Sequence, residues 1–284
     1  MINLIISIFL FLFVMLIGYA GSHGGPSIYS YPSLMLIASV GFLIHWIVFI
    51  PSYLLKTEKY YDITGTIAYL ATTGLAVFSS HELHLRSQIV ALLIIVWAIR
   101  LGVFLLVRVF QVGEDKRFQE VKTSFSRLLV WFNMSALWVF LTTANALTLI
   151  LNNDSLIGDG YFFSGLIIWL LGFITEVTAD EQKRRFRKIP QNKDQFITSG
   201  LWSISRHPNY FGEILIWVGM ATISFPVLSG WQYVTLISPL FVILLLTKVS
   251  GINLLEASSE KKWGDLESYK QYKKKTAVLI PFIK

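Results

Sequence analysis

Ile2-Asn-Leu-Ile-Ile-Ser-Ile-Phe-Leu-Phe-Leu-Phe-Val-Met-Leu-Ile-Gly-Tyr-Ala20 runs for nineteen residues without a single charge. At 1.5 Å per residue a helix of that length reaches across the roughly 30 Å hydrocarbon core of a bilayer. Seven further apolar stretches of similar length follow, near 33–55, 63–80, 88–110, 128–151, 160–179, 211–228 and 232–250. The last two are separated only by Ser229-Gly230 and read as a tight helical hairpin. No basic n-region precedes the first stretch, so a retained helix is expected there in preference to a cleaved signal peptide.

Composition agrees with this pattern. Hydrophobic residues make up 54% of the 284 and charged residues 14%, with mean hydropathy +0.60, where a soluble domain carries about 25% charged residues. There is no cysteine, which excludes disulfides, thiolate nucleophiles and cysteine-bound metals. The five histidines lack the spacing of a metal site, and no metal is expected. The formal charge of +7 lies beside apolar segments and forms no basic face, so nucleic acid is not an expected partner.

Lys and Arg are distributed on one side. Loops 56–62, 108–127, 181–210 and 251–284 hold 21 of the 24, whereas the alternate loops hold only Arg86. By the positive-inside rule the rich side is cytoplasmic. The expected fold is therefore all-α, a polytopic transmembrane helical bundle of about eight spans with both termini cytoplasmic, and the bias fits a bacterial inner membrane. No internal repeat suggests transporter halves. Polar content rises toward the C-terminus, so residues 1–60 are expected to be scaffold spans. Residues 61–284 are expected to form a catalytic domain with a cytosolic loop 181–210 and tail 251–284.

The chemistry-bearing residues cluster before the seventh span. Arg206, His207, Asn209, Tyr210 and Glu213 bring a cation, an imidazole, an amide, a phenol and a carboxylate within eight positions. Pro208 suits the first turn of a helix, whose free amides and dipole favour an anion such as phosphate. Arg206 is placed to add a bidentate contact. Upstream, Asp180, Arg184 and Arg187 share one face of a helical continuation. That basic run reads either as a positive-inside flank or as the second wall of a pocket for a phosphorylated ligand. Within the spans, Arg100 is too deep to snorkel freely. Asp62 and Glu213 are its candidate partners and Glu176 is a further buried-acid candidate, with structural pairing and catalysis both open. The tail from Leu254 to Phe282 mixes aromatics and lysines and reads as an interfacial helix or as a lid.

Arg206-His-Pro-Asn-Tyr-Phe-Gly-Glu213, with Ser199-Gly-Leu-Trp202, Leu254-Leu-Glu256 and Leu279-Ile-Pro-Phe282, resembles the C-terminal domain of the steroid 5-alpha-reductase superfamily, in particular its bacterial DUF1295 branch. Trp97-Ala-Ile-Arg-Leu-Gly102 and Gly113-Glu-Asp-Lys-Arg-Phe118 also fit that branch. The resemblance implies an NADPH-dependent membrane reductase that saturates a carbon-carbon double bond conjugated to a carbonyl in a steroid-like or isoprenoid-like substrate drawn from the bilayer. Membrane lipids and that hydrophobic molecule are the implied partners.

Carried over by position, the resemblance makes Asp180, Arg184, Arg187, Asn209, Glu213 and Glu256 cofactor contacts, joined by Arg206, His207 and Tyr210 from the same segment. For the substrate carbonyl it points to Trp97, which stands where the family has Tyr, to Arg100, and to Asp62 as the acidic partner. Tyr61, Tyr60 or Tyr69 would supply the phenol. A second reading is an S-adenosylmethionine-dependent methyltransferase of the isoprenylcysteine carboxyl methyltransferase type, which shares the Arg-His-Pro-x-Tyr-x-Gly segment. The Asn209 and Glu213 pair favours the reductase. A third reading is a non-catalytic lipid-binding membrane protein.

Overall fold

Backbone amides have no water to bond inside a bilayer, so apolar runs of this length must form helices, and they do. The computed structural model describes residues 1–80, 82–112, 118–152 and 158–283. Of the Gly113–Phe118 piece, only Phe118 falls among them. The helices are α1 (Ile2–Gly21), α2 (Ser33–Leu54), α3 (Tyr61–Ser79), α4 (Leu85–Val112), α5 (Phe125–Asn152), α6 (Gly160–Lys188), α7 (Pro208–Ser224), α8 (Ile237–Leu244), α9 (Ile252–Trp263) and α10 (Glu267–Lys275). Among the described residues, seven helical stretches are long and apolar enough to cross a membrane. The third expected span, α3, is helical where expected, but its threonines and glycines lower its hydropathy and it is not one of the seven.

The eighth expected span is a composite, with a 3-10 segment Gly230–Leu236, then α8, then a π turn Leu245–Val249. Its start is fixed by a capping box, in which Ser229 and the side chain of Gln232 satisfy each other's backbone amides. The adjacent Gly230 has φ +52, which suits a residue without a Cβ. A two-residue hairpin, Ser27–Ile28 with Tyr31–Pro32, was not legible in the sequence. Its turn residues Tyr29 and Ser30 both have positive φ, where Asn-Gly would be the usual signal.

The described residues form two compact units, Met1–Phe162 with Ser224–Ser238, and Phe163–Ile223 with Pro239–Lys284. In the first unit α5 packs against α1, α2, α3 and α4, and polar rungs tie the helices together. His45 bonds Ser135 Oγ at 3.0 Å, Trp46 Nε1 donates to Asn133 Oδ1 at 2.8 Å, and Tyr69 OH meets Thr142 Oγ1 at 2.8 Å. Asn152 and Gln232 exchange amide bonds at 2.8 Å in both directions. Arg86 is buried and paired with Asp159 at 2.9 Å, its guanidinium 5.5 Å from the Phe162 ring centroid. A buried cation with a carboxylate and a ring explains why one basic residue stands alone between the apolar stretches.

In the second unit α6 and α7 meet through four glycines, each pair seven residues apart. A Cβ on Gly172 would lie 2.6 Å from Gly212 O, and one on Gly165 would lie 2.7 Å from Gly219 O. Small residues at this spacing let two backbones approach, which is how helices associate where lipid offers no hydrophobic drive.

Candidate functional site

The α6–α7 contact places the N-terminus of α7, which opens at Pro208 as expected. The preceding strap, residues 197–207, is held to α6 on one side. Trp202 is buried and donates from Nε1 to Ala179 O at 3.0 Å, with Lys183 Nζ 4.5 Å from the indole centroid. Leu201 N donates to Gln182 Oε1 at 2.9 Å, and Gly200 takes φ +61 against that same glutamine.

The C-terminal tail holds the strap on the other side. Tyr272 OH donates to Trp202 O at 2.7 Å, Thr276 Oγ1 to Ser203 O at 3.2 Å, Arg206 N to Ala277 O at 2.9 Å and Ser205 Oγ to Leu279 O at 2.7 Å. Burial pushes the Tyr272 phenol well above the ordinary tyrosine range. A folded-state pKa raised in this way contributes stability that is complete below the unfolded value of about 10 and is lost as the pH rises beyond it. The full-length protein is expected to lose thermal stability steeply from about pH 10 upward, and Tyr272→Phe to flatten that decline. A decline equally steep in the variant would remove Tyr272 as its source.

The strap delivers Arg206 and His207 to Glu256 of α9. Arg206 Nη2 lies 3.1 Å from Glu256 Oε2, and His207 Nε2 lies 2.9 Å from Glu256 Oε1, so one carboxylate takes both partners. The Arg206 side chain is 10% exposed, and its buried Nε has no hydrogen-bond partner among the described residues. Beside it, Asn209 Nδ2 donates to Asp180 Oδ1 at 3.3 Å, and the His207 and Tyr210 rings stack at 5.8 Å. Arg206, His207, Asn209, Tyr210, Asp180 and Glu256 are thus brought to one helix terminus. A cation with a spare donor beside free helix amides is chemistry for a phosphate or pyrophosphate.

The other expected cofactor residues are placed differently. Arg184 is held within α6 by Glu181, Nε to Oε2 at 2.6 Å and Nη2 to Oε1 at 2.7 Å, and Glu181 also takes Arg185 at 2.6 Å. Arg187 is exposed and Glu213 half-buried. Sequence reasoning overlooked Glu181, Gln182 and Ser205, and placed Tyr272 only within the aromatic tail read as an interfacial helix or a lid. Only the i to i+3 spacing of Glu181 and Arg184 could have signalled the first of them.

The residues expected at the substrate carbonyl lie in the first unit. Trp97 is fully buried, with Tyr69 edge-on at 5.1 Å and 86°. Of the three tyrosines named for the phenol, Tyr69 is therefore the one set against Trp97. Tyr61 OH donates to Trp131 O at 3.1 Å from within an aromatic cluster that includes Phe118 and Phe132. Asp62 lies 3.4 Å from Arg108, and Arg100 stands over the Phe104 ring at 5.4 Å. No group of three or more metal-ligating side chains occurs among the described residues.

Comparison with known proteins adds four findings. A family model described as "Protein of unknown function (DUF1295)" matches residues 48–276. The chain is 28% identical over 122 residues to 3-oxo-5-alpha-steroid 4-dehydrogenase 1 of Mus musculus, covering 43% of this chain and 42% of that protein. It is 27% identical over 130 residues to the Bos taurus protein of the same name, covering 46% and 45%, so the matches span less than half of these relatives. It is also 34% identical over 74 residues to "Probable O-methyltransferase ustE" of Ustilaginoidea virens, with 26% of each chain covered.

Proposed function

The chain belongs to the DUF1295 family, and from that premise we propose that it is a membrane-embedded, NADPH-dependent reductase of a carbon-carbon double bond conjugated to a carbonyl in a lipid-like substrate. The observation that carries the proposal is Arg206 at the α7 N-terminus, anchored by Glu256 yet keeping a buried, unpartnered Nε. The similarity to proteins named as steroid dehydrogenases and 5-alpha-reductases supports the coarser reading of a multi-pass membrane oxidoreductase for steroid-like molecules.

Bound NADPH would supply a hydride, which together with a proton saturates the double bond and leaves NADP behind. In this proposal Arg206 holds phosphate oxygens, and Asp180 and Asn209 orient the polar parts of the cofactor. Glu256 fixes Arg206 and His207 as a positioning residue, and Tyr210, Glu213, Arg184 and Arg187 complete the polar rim. Residues 61–284 form the catalytic domain, with 1–60 as scaffold. The charge bias supports termini on the cytoplasmic side of a bacterial inner membrane. For the carbonyl we retain Trp97, Arg100, Asp62 and Tyr61, and assign the proton to the phenol of Tyr69, since an indole donates a hydrogen bond without releasing a proton.

The test is turnover in membranes holding the full-length protein, with progesterone as the enone probe and NADPH consumption as the readout. Tyr69→Phe is expected to lower turnover about a hundredfold, the scale of a positioned general acid, while NADPH affinity stays unchanged. Equal turnover would remove Tyr69 from the mechanism. The second reading, methyl transfer from S-adenosylmethionine, draws on the 74-residue likeness to the O-methyltransferase. Incorporation of labelled methyl into farnesylcysteine without NADPH consumption would favour it.

A further inference from the structure

A lateral cavity of about 500 Å3 opens in the first unit among α1, α2 and α5. Its walls are apolar, from Leu4, Ile8, Phe11, Ile50 and Leu129, but Ser7 and Asn133 also line it. Ser7 is 5% exposed, and its Oγ has no hydrogen-bond partner among the described residues. Ser39 and Ser52, by contrast, each bond the carbonyl four residues earlier. Asn133 is 2% exposed, and its Oδ1 accepts from Trp46 Nε1 at 2.8 Å. This leaves the Asn133 amide nitrogen as a donor with no partner among the described residues.

We propose that this cavity binds a neutral lipid made of an apolar ring system or isoprenoid chain ending in one hydroxyl or carbonyl oxygen. Two donors without partners, each more than nine-tenths buried, call for an acceptor oxygen, because an unpaired buried polar group costs about 1–3 kcal/mol. A bare hydrocarbon leaves them unpaired. A phospholipid headgroup does not fit the site either. Ser7 sits five residues inside α1, roughly 8 Å along the helix from its start, and no charge lines the cavity. The volume lies within the range of about 300–1,000 Å3 common for small-molecule sites. Five of the nine lining residues precede residue 48, where the family match begins, so about half of the site lies in a part of the chain that the family likeness does not explain.

The experiment is equilibrium binding to the purified full-length protein in detergent, without cofactor or turnover. The probes are radiolabelled cholesterol and farnesol, each paired with the hydrocarbon that lacks its oxygen. At least one alcohol is expected to bind once per chain and about fivefold more tightly than its hydrocarbon, the scale of one net hydrogen bond. Ser7→Ala is expected to reduce that preference without lowering the melting temperature, because Ser7 Oγ bonds none of the described residues. Leu129→Trp fills the cavity and is expected to abolish binding of both members of each pair. Equal binding of alcohol and hydrocarbon, a preference undiminished by Ser7→Ala, or no saturable binding of either alcohol would each overturn the proposal.

Discussion

Arg206→Ala is expected to weaken NADPH binding to the full-length protein by between about tenfold and a hundredfold, the scale of one or two charge-assisted hydrogen bonds. Two losses combine. The ligand loses the guanidinium, and Glu256 is left with His207 as its remaining ion-pair partner at the strap. Because the Glu256 side chain is 23% exposed, the second loss is moderated by solvent. Arg206→Lys separates the two. It retains the charge but not the planar fork, and is expected to lie between wild type and alanine. Glu256→Gln keeps the cation while loosening its anchor, and is expected to cost severalfold. Wild-type affinity in Arg206→Ala would take the phosphate role away from this residue.

Gly212→Val is expected to disrupt the second unit outright. A Cβ at position 212 would stand 2.6 Å from Glu176 N and 2.7 Å from Gly172 O, and both are backbone atoms that cannot turn aside. Overpacking a tight contact commonly costs about 1–3 kcal/mol. Since α7 must here move off α6 as a body, the cost is expected at or above the upper end of that range. The displacement also shifts Asn209 from Asp180 and Arg206 from Glu256. Loss of NADPH binding should therefore accompany a fall in melting temperature. Gly74→Ala is the control, because nothing among the described residues lies within 4 Å of a Cβ there and alanine favours helix over glycine. It is expected to be neutral or slightly stabilising. A well-folded, ligand-binding Gly212→Val would show that the close glycine contact is dispensable.

Much of this architecture was legible because bilayer physics leaves few options. Apolar runs became α1 to α7, and the density of functional groups at 206–213 marked a helix start that the structure places at Pro208. Glu256 could be named through the family resemblance, but its bridging of Arg206 and His207 could not, since that contact spans about fifty residues of chain. Arg184 shows the opposite limit. Its spacing left a positive-inside flank and a ligand wall both open, and the neighbouring Glu181, which holds that guanidinium within the helix, was not part of that reading. The glycines of α6 and α7 were visible as letters, yet their meaning depends on which helix lies opposite. The partner of Arg86, at Asp159, was hidden for the same reason.

The most direct test of the central claim is a thermal-shift titration of the purified full-length protein with NADPH and, separately, with S-adenosylmethionine. Selective binding to the folded state raises the melting temperature in a concentration-dependent way. Stabilisation by NADPH, at concentrations where S-adenosylmethionine has little effect, is the predicted result. Stabilisation by S-adenosylmethionine alone would contradict the account and identify the Arg206 and Glu256 site as that of a methyltransferase.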